Sequence, residues 1–229
     1  MRYQAIIFDV GDTLIEYRPS WAEVFGGKIR ALGFETSQET VWAISNAVYR
    51  ASGEHADKDE AALSCVPCPA EKREAYLRQM ALTPMPEQET AVIPGVFEAL
   101  DALKPDYRLA VVSNYGRELP ALLKGLGLYD YFEAVVVSQI VGIEKPDARI
   151  MELVFQALGL PSERCLYVGD QPMDVLCAKS AGLDCAWVTR ADTKLPDSIP
   201  FREDYRIGGV RDLIGILGER KSITQTAPD

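Results

Sequence analysis

The sequence predicts an α/β fold, a doubly wound parallel sheet interrupted once by an inserted, all-helical segment. Three observations lead there. Short β-rich runs alternate with helix-periodic stretches along most of the chain. The central runs are apolar at consecutive rather than alternate positions, as in strands covered by helices on both faces. Residues 16–88 break this rhythm, with helical patterns and no convincing strand.

The first strand is "YQAIIFDV", residues 3–10. The insertion follows. "SWAE" at 20–23 and "TSQE" at 36–39 both fit the capping-box pattern, in which a Ser or Thr is followed three residues later by Glu. Each opens an apolar stripe at helical spacing: Trp21, Phe25, Ile29 and Leu32, then Val41, Ile44 and Val48. A further helix is expected after Pro69, with Ala75, Tyr76 and Met80 inward; Pro84, Pro86 and "IPGV" return the chain to the sheet. From there strands and helices alternate. Val96, Leu100 and Leu103 space one helix before "RLAVVSN" at 108–114. Leu119, Leu122, Leu123 and Leu126 space the next, before "AVVVS" at 134–138. Ile150, Leu153, Val154 and Leu158 space a third, before "RCLYVGD" at 164–170. "DVLCAKSAG" turns Val175 and Ala178 inward and ends at Gly182, a position suited to a left-handed cap. "CAWVT" at 185–189 and a weaker run, "DYRIGG" at 204–209, complete the sheet. Right-handed crossovers then give a core of residues 1–15 and 89–219, a helical cap of residues 16–88, and a polar, frayed tail at 220–229.

Composition narrows the class of function. The net charge of −10 and the scattered Lys and Arg oppose a phosphate backbone, so no nucleic-acid partner is expected. No apolar run reaches the roughly 18 residues of a membrane span. The segment "MRYQAIIFDV" lacks the marks of export, and a cytoplasmic protein is expected. Among the five cysteines, Cys65 and Cys68 form "CVPC". Zinc would need two further ligands, and neither a second C-x-x-C nor a second histidine beside His55 exists. Reduced structural thiols are the expectation, with His55 a solvated loop residue.

In a doubly wound sheet, ligands bind outside the carboxyl ends of the strands. Those ends carry Asp9, Ser113 with Asn114, and Gly169 with Asp170. Lys145 is read as starting the helix of "EKPDARI", and Asp174 follows Asp170 by four residues, on one face if the helix begins there. Three carboxylates at one edge repel one another unless a cation intervenes. Mg²⁺ is the usual ion for a few carboxylates plus a substrate phosphate.

These residues, in this order, resemble the haloacid dehalogenase superfamily of hydrolases. "FDVGDTL" resembles its first motif, "VVSN" its second, "EKPD" its third and "YVGDQPMD" its fourth, and the insertion resembles that family's helical cap. The resemblance implies a phosphatase acting on a small phosphorylated metabolite through an aspartyl-phosphate. Asp9 would be the nucleophile. Asp9, the carbonyl of Gly11 and Asp170 would hold Mg²⁺, with Asp174 supporting it. Ser113 and the amide of Asn114 would hold the phosphoryl oxygens, and Lys145 would neutralise both phosphate and Asp9. Thr13 would fix the shape of the loop.

One position departs from the family. Its phosphatases usually carry an acid/base Asp two residues after the nucleophile, where this chain has Gly11; Asp12 follows, as a neighbour and not a displaced partner. Glu16 is a candidate substitute, set against a reading as a surface carboxylate. Two alternatives therefore stand beside the phosphatase. One is a degenerate member that binds or regulates with little turnover. The other is a 2-haloacid dehalogenase, which would need no metal and which "VGDQPMD" disfavours. Trp21, Phe25 and Trp42 are read as cap core ahead of a substrate pocket.

Overall fold

The computed structural model describes residues 2–51, 57–189 and 194–218; His55 and the tail expected at 220–229 lie outside them. The chain forms β1 (Ala5–Phe8), β2 (Ile15–Arg18), α1 (Trp21–Ala31), α2 (Gln38–Arg50), α3 (Lys58–Leu63), α4 (Arg73–Leu82) and β3 (Glu89–Val92). It continues through α5 (Val96–Leu103), β4 (Arg108–Ser113), α6 (Leu119–Gly125), β5 (Ala134–Val137), α7 (Ser138–Val141) and α8 (Arg149–Leu158). The remaining elements are β6 (Cys165–Gly169), α9 (Pro172–Ser180), β7 (Asp184–Val188) and β8 (Tyr205–Ile207). The backbone divides into two compact units, residues 1–16 with 92–229, and residues 17–91.

The larger unit is built on a six-stranded sheet in the order β5-β4-β1-β6-β7-β8. Its ladders are parallel throughout: Phe8 lies opposite Val111 on one side and Val168 on the other. Strand order therefore runs outward in both directions from β1. Right-handed crossovers leaving β1 in opposite directions put helices on both faces, which is why every residue of β1 and β6 is buried. Each such Ile, Val or Phe contributes about 1.5–3 kcal/mol of burial. The same order makes β1 the switch point, so the carboxyl ends of β4, β1 and β6 open on one crevice. Gly182, at φ +80°, closes α9 in the left-handed conformation the sequence suggested.

The smaller unit is helical, as the sequence indicated. Phe25, Ile29, Ile44, Val48, Ala62, Leu63, Val66 and Met80 form its core, with Trp21, Leu32, Tyr76 and both Cys65 and Cys68 packed around it. All five cysteines are reduced thiols. The Cys65 and Cys68 sulfurs donate to the Ala61 and Pro69 carbonyls. Ser20 and Glu23 make the expected reciprocal capping box at α1. At α2 the cap is Ser37 instead of Thr36: Ser37 accepts from the Thr40 amide, while Thr36 accepts from Arg30. The one-residue shift follows from two adjacent hydroxyl residues: Thr36 alone fits the capping-box spacing, but Ser37 is equally able to cap the helix by accepting from the backbone. Ala75 is exposed, and Leu77 packs in its place, because Tyr76, Leu77 and Met80 share one helix face from which Ala75 is turned away. Ile15–Arg18 and Glu89–Val92 pair as a two-stranded ribbon that sequence patterning did not show, since four-residue strands are too short for a period. Among the described residues, no helix is long and apolar enough to cross a membrane.

Candidate active site

Asp9 is the first residue beyond β1, and its amide donates to the Val168 carbonyl of β6 at 2.8 Å. That bond carries the ladder one residue past the strand and fixes where the carboxylate begins. The chain then turns sharply: Leu14 and Ile15 both donate to the Val10 carbonyl. The turn's left-handed residue is Asp12, at φ 54°. Aspartate tolerates that region better than most residues because its short polar side chain can bond locally.

Lys145 reaches this point from another direction. It lies on the loop between α7 and α8, not at a helix start, since α8 begins only at Arg149. The Asn114 side chain clamps that loop through both of its backbone groups, donating to the Lys145 carbonyl (2.9 Å) and accepting from the Lys145 amide (2.8 Å). The ammonium is fully buried and donates to Asp9 Oδ1 (2.8 Å), Asp174 Oδ1 (2.5 Å) and the Tyr167 hydroxyl (2.8 Å). Burial alone would lower its pKa, but the charges of Asp174 and Asp9 more than reverse this and raise it.

Asp174 sits in the first turn of α9. Its Oδ2 accepts from the Gln171 amide at 2.9 Å, closing the helix N-terminus. The carboxylate packs directly over Gly169: a methyl group there would lie 2.4 Å from Asp174 Oδ2. Because α9 begins at Pro172, Asp170 stays on the preceding turn and the two carboxylates do not share a helix face. Asp170 Oδ1 accepts from Thr13 (3.2 Å), its Oδ2 from the Gln171 side chain (2.6 Å), and its carbonyl from the Trp187 indole (2.8 Å). Burial, then the charges of Asp12, Asp174 and Asp9, push its carboxyl well above the usual range. Burial also raises Asp174, against the pull of Lys145.

Carboxylate oxygens of Asp9, Asp170 and Asp174 lie within 4.8 Å of one another. Among the described residues, the Lys145 ammonium pairs with two of the three, Asp9 and Asp174, while the charge of Asp12 adds to the field on Asp170. The excess negative charge and the all-oxygen donor set fit a hard divalent cation.

Residues 3–182 match the family of haloacid dehalogenase-like hydrolases. The chain belongs to this family. Similar proteins include pyrimidine 5'-nucleotidase YjjG of Escherichia coli, 30% identical over 134 residues, which are 57% of each chain. Phosphoserine phosphatase of Thermus thermophilus is 32% identical over 146 residues, 62% of this chain and 55% of that one. The matched stretch thus spans little more than half of either relative. In fold, the chain resembles the magnesium-bound HAD-hydrolase YfnB of Bacillus subtilis, with a TM-score of 0.61 and 22% identity over 95% of this chain and 99% of that one.

In this family member, Asp9, Lys145, Asp170 and Asp174, all singled out by the sequence, lie together beyond the strand ends. Ser113 ends the adjacent β4 and Asn114 follows it, both buried. Thr13 does more than shape its loop, since it bonds Asp170. Glu16 lies in β2 and is half-buried. Sequence reasoning missed Tyr167, Gln171 and Trp187. A tyrosine inside a fully apolar strand was the available signal for the first, because a buried hydroxyl needs a partner.

Proposed function

We propose that the chain is a Mg²⁺-dependent phosphatase that hydrolyses a small phosphorylated metabolite through an aspartyl-phosphate on Asp9. The observation that carries this reading is the convergence of three carboxylates, two of them paired with the buried Lys145, at the switch point of the sheet. Asp9, the Gly11 carbonyl and Asp170 would hold the ion, with Asp174 supporting it. The ion's contribution is to offset charge on the phosphoryl oxygens and on the carboxylates.

The remaining chemistry belongs to the chain. A carboxylate of Asp9 attacks phosphorus and the bond to the leaving oxygen breaks, with that oxygen keeping the electron pair. Water then attacks the same phosphorus and releases Asp9 and inorganic phosphate. Bringing one anion to about 4 Å of another costs about 4 kcal/mol at an effective dielectric near 20. Lys145, already 2.8 Å from Asp9, is placed to offset it. Ser113 and the Asn114 amide hold the transferring oxygens, while the Asn114 side chain keeps Lys145 in position. Reduced thiols and the −10 charge suit a cytoplasmic setting and a small-molecule substrate.

Gly11 supports a second reading, a family member that binds its ligand with little turnover, because no carboxylate stands at the acid/base position. Hydrolysis of a panel of phosphorylated metabolites with and without Mg²⁺ separates the two. The phosphatase reading expects Mg²⁺-dependent release of phosphate, lost in Asp9→Asn while the fold is retained. Near-normal turnover by a pure Asp9→Asn preparation removes Asp9 from the mechanism.

A further inference from the structure

Tyr167 occupies the middle of β6, its ring buried, opposite Ile7 of β1. Its hydroxyl passes beyond β1 and donates to the Val112 carbonyl of β4 at 2.9 Å. One side chain thereby ties together the two strands that flank the nucleophile's own. The same oxygen accepts from Lys145 Nζ at 2.8 Å.

The hydrogens can be counted. An ammonium has three donors and no acceptor, and a phenol has one donor and two lone pairs. Val112 offers only an acceptor, so the phenolic hydrogen goes to it. The competing contact to Asp174 Oδ1 is longer, at 3.3 Å. The phenolic oxygen must then accept from Lys145. With Asp9 Oδ1 and Asp174 Oδ1 taking one hydrogen each, all three ammonium hydrogens are assigned. Two of the acceptors are charged and pull toward their own carboxylates. The neutral third fixes how the ammonium rotates and where it sits between them.

We propose that Tyr167 is a positioning residue for Lys145, a role set by this chain of hydrogen bonds from Lys145 through Tyr167 to Val112. It holds the ammonium at the distance from Asp9 that the incoming phosphate requires. Without it, the stronger contact at 2.5 Å draws Lys145 toward Asp174 and away from the reacting atoms. The proposal rests on the phosphatase reading for its effect on turnover, but the hydrogen-bond chain itself does not.

The test has two arms. In the first, wild type and Tyr167→Phe are compared with p-nitrophenyl phosphate and Mg²⁺, and with orthovanadate and inorganic phosphate as inhibitors. Tyr167→Phe should lower kcat about tenfold, about 1.4 kcal/mol of barrier, with KM changed less than about twofold. Orthovanadate, which mimics the five-coordinate phosphorus, should weaken by a similar factor, and inorganic phosphate by much less. Unchanged kcat per folded molecule, or equal weakening of both inhibitors, overturns the proposal. The second arm needs no turnover: nitrogen-15 lysine NMR of wild type should show a slowly exchanging ammonium resonance that disappears in Lys145→Met. In Tyr167→Phe it should shift and exchange faster; an unmoved resonance overturns the chain of bonds. Failure of wild type to hydrolyse any phosphate ester would count against the phosphatase reading, and the NMR arm would still decide on Tyr167.

Discussion

Replacing Gly169 with alanine tests the packing beneath the site. An added methyl group would lie 2.4 Å from Asp174 Oδ2, 2.5 Å from its Cγ and 2.8 Å from its Cβ. Ordinary contact requires the carboxylate to retreat by about 1 Å, since dispersion contacts have their optimum near 3.5–4 Å. Asp174 has no slack for this, because Oδ1 is bonded to Lys145 at 2.5 Å and Oδ2 to the Gln171 amide at 2.9 Å. Overpacking a core costs about 1–3 kcal/mol, and a hydrogen bond to a charged group contributes about 1.5–3 kcal/mol. Loss of the Gln171 bond with partial overpacking gives a destabilisation of about 3 kcal/mol. For a chain of this size that lowers Tm by about 6–12 °C. Thermal unfolding followed by circular dichroism measures it, and Mg²⁺ titration of activity measures the displaced carboxylate. A Tm within about 2 °C of wild type would show that Asp174 is not held against Gly169, and the site geometry would be wrong.

Two further outcomes follow from the same structure. Asp204 accepts from Lys179 at 2.7 Å and from the Cys185 amide at 2.8 Å, tying α9 to β7. Burial would raise its pKa, but these donors more than reverse this, so its folded value is depressed. Its stabilisation is therefore present above the ordinary carboxylate range and lost as pH falls through the lower folded value. Asp204→Asn should lower stability by about 1 kcal/mol at pH 7, discounted for partial exposure. The difference from wild type should shrink toward pH 3; a gap that widens in acid would refute the sign. Gly11→Asp restores a carboxylate at the acid/base position, and the left-handed residue of that turn is its neighbour Asp12. Hydrolysis of an alkyl phosphate should rise about 10²-fold relative to p-nitrophenyl phosphate, the lower range of general acid catalysis. An unchanged ratio would mean that another group already supplies the proton.

Much of this site was legible because its residues sit where strands end, and strand ends are readable. Asp9, Ser113 and Asp170 each follow a run of consecutive apolar residues, and parallel topology brings such ends together without any knowledge of contacts. The capping serine of α1 was legible for a similar reason, being a local pattern. What escaped depended on pairing across strands. Tyr167 reaches past β1 to Val112, a separation of 55 residues, and Trp187 supports the Asp170 carbonyl from the next strand. Neither partner is marked by any spacing. The sequence singles out Lys145 but points to a helix start at "KPDARI", whereas the helix begins only after Ala148. The sequence marks Asp12 only as a neighbour of Asp9. Its backbone is left-handed and its charge acts on Asp170, which only the folded turn reveals.

The central claim is that Asp9 carries the phosphoryl group. Rapid quenching of turnover with p-nitrophenyl phosphate and Mg²⁺, followed by borohydride reduction and peptide mass spectrometry, tests it directly. Reduction converts an aspartyl-phosphate to homoserine. The account predicts homoserine at position 9 and at no other aspartate, and none when substrate is omitted. Turnover that proceeds with Asp9 unmodified, or with homoserine at Asp12, Asp170 or Asp174 instead, would contradict it.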